Sequence, residues 1–240
     1  MGAMTPLIFL LLTSLETKVD QVVSIFENGT PEIQYCYIEN IHDGRGYTAG
    51  KAGFTTATGD FYVFTKNYAA VNPATGLKKY LPELEQLADH ESQDTSGLRG
   101  IIKAWKSECR AADFEKAQDD LVETMYKRPA REYVEKYGLK TPLAYLIIYD
   151  SIIQHGDGDD PDSLSGIFTR MRNTSSEKAF LSEFLRARES VLLNATDEST
   201  RVEWKKSVDR VYALRKVLEA GNFQLEKIEI NVWGESWKLP

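Results

Sequence analysis

Leu143 to Gln154 reads Leu-Ala-Tyr-Leu-Ile-Ile-Tyr-Asp-Ser-Ile-Ile-Gln, with Pro142 in position to open a helix. Such a helix is apolar on most of its sides and belongs in a protein interior. The chain must therefore wrap other elements around it, and 240 residues suffice. A chain of that length buries roughly 70% of the surface its unfolded form would expose. Asp150 interrupts the apolar run. A buried carboxylate has to be paired or neutralised, so arginines are expected to meet it.

The remaining composition narrows the class. With 42% hydrophobic residues, 27% charged residues, 16 Gly and 8 Pro, the chain is neither disordered nor collagen-like. The 36 acidic against 29 basic residues leave a net charge of −7. That argues against gripping a nucleic-acid backbone and accommodates a cationic ligand. The apolar run Leu7–Leu12 is far shorter than the roughly 20 residues a bilayer span needs. Residues 1–12 read as an N-terminal extension, with Met1–Met4 a remnant; Leu7–Leu12 fits either a trimmed export signal or a first core helix. Cys36 and Cys109 fit either a disulfide or two buried thiols.

Periodicity supplies the elements. From Ser14 to Phe26, Leu15, Val19, Val22, Val23 and Phe26 form one helical stripe, and Asn28-Gly29 stops it. Glu27 falls in the last turn. Gln34 to Ile41 is rich in aromatic and β-branched residues and predicts a strand. His42 to Gly46 makes a turn with Asp43 at its bend, and Tyr47 begins a return strand. Helices follow over about 81–88, 98–105, 114–125, 131–137, 143–154, 177–192 and 199–220, with an extended tail near 228–233. The class is mainly α with a small antiparallel hairpin. Residues 13–240 are expected to form one domain of two lobes, 13–50 plus 143–240 and 51–142.

Motifs of other chemistries are weak. Gly44 to Gly50 lies in a hairpin rather than before a helix, so it is no dinucleotide loop. The acidic stretch Asp157 to Asp162 places Pro161 where a calcium loop wants a ligand and reads as a solvated turn. His42, His90 and His155 are scattered, and no metal or cofactor is expected. Asn28, Asn173 and Asn194 begin glycosylation triplets, which arise often by chance. Carboxylate chemistry remains: Glu27 ends an apolar helix and Asp43 bends a hairpin, an arrangement able to line two walls of a cleft. One carboxyl can act there as acid and the other as base.

Ser24-Ile25-Phe26-Glu27-Asn28-Gly29, Tyr37-Ile38-Glu39, Asp43-Gly44-Arg45-Gly46-Tyr47-Thr48, Gly53-Phe54 and Thr58-Gly59-Asp60 resemble the chitosanases of glycoside hydrolase family 46. Lys79-Tyr80-Leu81-Pro82, Tyr149-Asp150, His155-Gly156, Asp159-Asp160-Pro161, Arg186-Ala187-Arg188 and Thr200-Arg201-Val202 extend the likeness over nearly the whole chain after Thr13. The resemblance implies a lysozyme-like fold: two helical lobes joined by a long central helix, with a small antiparallel sheet lining the cleft. It implies an endo-acting, inverting hydrolase of β-1,4 glucosamine links in chitosan. Glu27 would be the general acid, Asp43 the general base, and Thr48 the holder of the attacking water. Asp60 would pair with a glucosamine ammonium, while Tyr37, Arg45 and Thr58 line the same side. Asp150 would join Arg188 and Arg201 in a charge network that positions Glu27. The expected partners are chitosan and glucosamine oligosaccharides, with neither nucleic acid nor membrane; a secreted monomer is expected. A hydrolase of chitin or peptidoglycan and a glycan-binding protein without turnover are the alternatives, and Asp60 speaks against the former because a neutral N-acetyl sugar does not need it.

Overall fold

The computed structural model describes residues 6–196, 198 and 201–240, with side chains from Ser14 onward. Met1–Met4 lie outside the described residues. Helix α1 (Pro6–Asn28) opens the chain and takes in Leu7–Leu12. A three-stranded antiparallel sheet follows: β1 (Ile38–Asn40), β2 (Tyr47–Ala49) and β3 (Phe54–Thr55), in that order. Then come α2 (Asp60–Val71), α3 (Leu81–Asp89), α4 (Ile101–Glu108) and α5 (Ala112–Val122). A π-helical turn, Glu123–Lys127, leads to α6 (Arg128–Lys136), α7 (Pro142–His155), α8 (Leu164–Thr169) and α9 (Glu177–Leu193). After α10 (Arg201–Lys206) and α11 (Val208–Glu219), β4 (Ile228–Val232) and β5 (Glu235–Leu239) close the chain as a hairpin. The fold is mainly helical with a small antiparallel sheet, the lysozyme-like class. Among the described residues, no helix is long and apolar enough to cross a membrane.

The chain forms two compact units, residues 1–26 with 126–240 and residues 27–125. In the first, α7 is buried along most of its length, from Leu143 through Ile152 and again at His155. Thr141 caps it by accepting the Ala144 N–H, and Pro142 occupies the first turn, where its missing N–H is harmless. Each large aliphatic side chain so buried contributes about 1.5–3 kcal/mol. Val19, Val22, Val23 and Phe26 of α1 are buried as the stripe predicts, Leu15 is half-buried, and Ile25, outside the stripe, is buried as well. Lys127 is anchored between Glu16 and Asp20 at 2.9 and 2.8 Å.

The second unit is built on aromatic rings. Phe61 and Phe64 of α2, Trp105 of α4 and Phe114 of α5 are fully buried. Trp105 packs within 4.8–5.1 Å of the other three, centroid to centroid. Phe54 of β3 joins them by stacking on Phe64 at 5.8 Å, which ties the sheet to the helices. Residues 34–37, expected in a strand, are not in one. Trp105 Nε1 and Gln118 Nε2 both donate to the Tyr35 carbonyl, at 3.1 and 3.0 Å, so a strand neighbour has no acceptor there. Cys36 is bonded to Cys109 in a disulfide, which settles the question the sequence left open.

Two other differences have local causes. The helix expected over 199–220 is broken at Ser207, between α10 and α11. The tail near 228–233 gains a return strand because Trp233 and Gly234 both take positive φ, 53° and 81°. Two such residues make the tight turn that matches strand twist.

Candidate active site

Glu27 is exposed in the last turn of α1, whereas Ile25 and Phe26 beside it are buried. Gly29 ends the helix with φ of 67°, the left-handed conformation glycine adopts without steric penalty.

The β1–β2 connection shapes the surroundings of Asp43. His42 N–H donates to Asn40 Oδ1 at 2.9 Å, and Arg45 N–H donates to Asp43 Oδ1 at 3.1 Å. Two side chains thus take up backbone donors and fix the bend. The Arg45 guanidinium then closes on Asp43 Oδ2, through Nε at 2.8 Å and a terminal nitrogen at 2.6 Å. The Asp43 side chain is 24% exposed and that of Arg45 52%. Gly46 is required immediately afterwards. Its φ is 76°, and a Cβ there would collide with the Thr56 hydroxyl. That hydroxyl accepts the Tyr47 N–H at 3.1 Å.

Strand pairing sets Glu39 opposite Thr48, and Thr48 opposite Thr55. Directly opposed residues share a sheet face, so the three form a row. The Thr48 hydroxyl is buried and, among the described residues, has no hydrogen-bond partner. Leaving such a group unmet costs about 1–3 kcal/mol. Tyr37 lies just before β1 and donates to Glu39 at 3.4 Å. Burial, then Glu39, then the Asp43 charge raise its phenol pKa, so Tyr37 and Asp43 are within electrostatic reach.

Asp60 opens α2 and is the end of a local network. Its Oδ1 accepts from Thr55 N–H (2.7 Å), Thr58 hydroxyl (2.8 Å) and Phe61 N–H (3.0 Å). Partial burial raises its carboxyl pKa and outweighs these bonds, which lower it. The structure therefore brings Tyr37, Asp43 and Arg45 together, and separately Thr58 with Asp60, with Thr48 in the strand between the two groups.

In the other unit, Asp150 of α7 is fully buried. Arg188 of α9 reaches its Oδ2 at 2.5 Å and also donates to Gln154 at 2.5 Å. Its Nε donates to His155 Nε2 at 3.3 Å, while His155 Nδ1 faces the Asp162 carbonyl at 2.8 Å. A neutral imidazole with its proton on Nδ1 satisfies both contacts. Burial and then the Arg188 charge hold the His155 pKa well below the usual histidine range. The second arginine differs from the expected one. Arg201 starts the short α10, donates to the Ala195 carbonyl at 3.0 Å and lies 3.5 Å from Glu198. The second guanidinium near Asp150 is that of Arg210, buried on α11, 3.8 Å from Oδ1. Arg210 shares its helical face with the buried Leu214 and Val217, and a basic residue in an apolar stripe is the signal that marks it.

Among the described residues, no cluster of three or more His, Cys, Asp or Glu side chains is placed to hold a metal ion. In the acidic loop, Asp157 accepts from Tyr133, Asp160 from the Asp162 N–H, and Asp162 from Thr196.

Carboxylates at a helix end and a hairpin bend, beside a polar row on a small sheet, are the groups that a carboxylate-based glycosidase would use. The chain belongs to glycosyl hydrolase family 46, whose family model matches residues 21–227. It is 46% identical over 216 residues to a chitosanase of Bacillus subtilis strain 168, covering 87% of this chain and 78% of that one. A chitosanase of Streptomyces sp. N174 is 34% identical over 220 residues, 85% of this chain and 74% of that one. The native chitosanase structure from Bacillus subtilis MY002 superimposes with a TM-score of 0.89 at 43% identity, over 95% of this chain and 98% of that one. A family 46 chitosanase of Gynuella sunshinyii, solved with chitotetraose, gives 0.89 at 38% identity over 99% of both chains.

Proposed function

We propose that this chain is a chitosanase that cuts β-1,4 glucosamine linkages within the polymer, with inversion at the anomeric carbon. Family membership supports the reaction class, and a related Bacillus chitosanase was solved with six glucosamine units bound. The observation that carries the residue assignment is the hairpin bend. There Arg45 holds Asp43 by its side chain and its backbone, next to a strand bearing the unpartnered Thr48 hydroxyl.

In the proposed reaction Glu27 gives its proton to the glycosidic oxygen as the bond to the anomeric carbon breaks. Asp43 takes a proton from a water held by Thr48, and the water oxygen bonds to the opposite face of that carbon. Inversion by this route needs the two carboxyls roughly 6.5–9.5 Å apart, with water between them. Two carboxylates complete the hydrolysis without metal or cofactor. Asp60, with Oδ2 outside its local bonds, pairs with a substrate ammonium, and Tyr37, Arg45 and Thr58 flank the sugars. An N-acetyl group removes the ammonium charge and adds bulk, which sets the preference for chitosan over chitin. The net charge of −7 favours approach of a polycation, and salt weakens that steering. The Cys36–Cys109 disulfide supports a secreted enzyme, since such bonds persist in oxidising compartments. The enzyme works as a monomer, on neither nucleic acid nor membrane.

The test is reducing-end release from chitosan at several degrees of acetylation, with Glu27→Gln beside the unmodified protein. The variant should lose at least about a hundredfold, the lower range of general acid catalysis. Retained activity reassigns the acid. Early products followed by NMR should be α-anomers, and a dominant β-anomer overturns inversion.

A further inference from the structure

We propose that the unit comprising residues 1–26 and 126–240 carries a second binding surface for glucosamine polymer, made of none of the residues assigned to catalysis: an aromatic hollow at Tyr137, Phe168 and Phe180 that continues over Tyr133 to the acidic loop at Asp157 and Asp159. The inference rests on chitosan being the substrate.

Four rings from three helices make the surface. Tyr133 of α6 and Tyr137, the residue that caps the end of α6, are 6.5 Å apart between centroids and 9° from parallel. Phe168, in α8, stacks on Tyr137 at 4.5 Å and on Tyr133 at 5.3 Å. Phe180 of α9 lies 5.2 Å from Tyr137. Tyr137 is 37% exposed, and none of the other three is fully buried. A hollow of about 480 Å³ is lined by Tyr137, Phe168 and Phe180 together with Asn173, Thr174, Ser176, Arg172 and Glu177. Flat apolar rings beside hydroxyl and amide groups suit a pyranose, which presents C–H bonds on its faces and hydroxyls around its edge.

Charge selects an aminosugar. The Tyr133 hydroxyl donates to Asp157 at 2.5 Å, which joins the aromatic row to the loop. Burial, then Asp157, then more weakly Asp159 raise the Tyr133 pKa, so both carboxylates lie within electrostatic range of the rings. Asp157 and Asp159 are exposed. The tyrosine faces already attract a cation: Lys136 Nζ lies 5.4 Å from each ring centroid. Lys136 is exposed, and a ligand ammonium can take its place over the rings. At the rim, Arg172 faces Glu183 at 3.9 Å, and the Glu177 carboxylate, which lines the hollow, accepts from the Lys140 and Thr141 N–H groups. Such neutral donors leave its charge in place, so it adds to the negative field of the loop carboxylates.

The experiment measures retention of the full chain on insoluble, low-acetylation chitosan in a Glu27→Gln background. Tyr137→Ala should weaken retention roughly three- to tenfold, the range aromatic contacts supply. Tyr137→Phe keeps the ring and should bind as the parent does. Asp159→Asn should weaken retention at low salt, with the difference gone by about 0.5 M salt. With Glu27 intact, Tyr137→Ala should cleave a soluble glucosamine hexamer within about twofold of the parent rate. Unchanged retention in both Tyr137→Ala and Asp159→Asn overturns the surface, as does a hexamer defect equal to the retention defect. If Tyr137→Ala lowers the unfolding midpoint by more than a few degrees, the Asp157→Asn, Asp159→Asn double variant decides in its place. A parent that binds chitosan through Tyr137 yet never cleaves it rejects the catalytic reading and leaves this surface standing.

Discussion

Arg45 holds Asp43 twice, by its backbone N–H on Oδ1 and by its guanidinium on Oδ2. The pair is partly exposed, so its stabilisation of the fold should be within about 1 kcal/mol. Its effect on geometry is larger, because bonds to both oxygens hold the carboxylate in one orientation, as the proposed base requires. Arg45→Ala should lower kcat about tenfold and shift the unfolding midpoint by no more than about 2 °C. Steady-state kinetics beside a melting curve checks this, and an unchanged kcat removes Arg45 from the positioning role.

The buried network makes opposite predictions for two arginines. Asp150→Asn or Arg210→Ala strands charge in the interior and should cost about 3–5 kcal/mol. Arg201→Ala, whose side chain contacts a backbone carbonyl and an exposed Glu198, should stay within about 1 kcal/mol. Urea unfolding of the three variants at neutral pH separates the assignments. Equal losses in Arg201→Ala and Arg210→Ala would contradict the pairing described.

His155 gives a pH signature. Its pKa is depressed in the folded state, so between the ordinary histidine value and the folded one the unfolded chain binds the extra proton. Stability from this group is present above about pH 6.5 and declines as pH falls, by up to about 1.4 kcal/mol per unit. His155→Gln should flatten the stability profile between about pH 6.5 and 5 relative to the parent. Parallel slopes in the two proteins would show that the imidazole is not the group responsible.

Asp60 is shifted in the opposite direction. Burial raises its carboxyl pKa, so acidification neutralises it sooner than an ordinary aspartate and would remove the partner proposed for the substrate ammonium. Asp60→Asn should raise KM for low-acetylation chitosan roughly tenfold or more, with a smaller change in kcat. It should also remove part of the acid-side increase in KM. Substrate titrations across pH test both statements, and an unaltered KM rejects the assignment.

The disulfide encloses a long loop, with Cys36 and Cys109 separated by 73 residues. In the loop-entropy model such a link contributes on the order of 4 kcal/mol. Paired Cys36→Ser and Cys109→Ser substitutions should lower the urea midpoint accordingly, and added thiol should have no further effect on that variant.

Where local pattern and burial agree, the elements follow from the residues. The apolar run of α7, the stripe of α1 and the Asp43 bend are of this kind, and so is the need for an arginine at Asp150. Contacts between distant segments are not readable in this way. Tyr35 looks like strand material, yet Trp105 and Gln118 claim its carbonyl from 70 and 83 residues away. The triplet Thr200-Arg201-Val202 points to Arg201, whereas the helical phase of α11 buries Arg210 beside Leu214, and burial rather than the motif decides which guanidinium approaches Asp150. The aromatic surface combines a visible four-residue spacing, Tyr133 and Tyr137, with Phe168 and Phe180 from other helices, and no local window contains all four.

The Cys36–Cys109 bond also bears on how the protein withstands proteases. Asp43, Thr48 and Asp60 all lie between its two cysteines. One nick anywhere in that stretch leaves both fragments covalently tethered, so a clipped molecule should migrate as an intact chain until thiol is added. Material that looks homogeneous on a non-reducing gel can therefore conceal a cut population, distinguishable only after reduction.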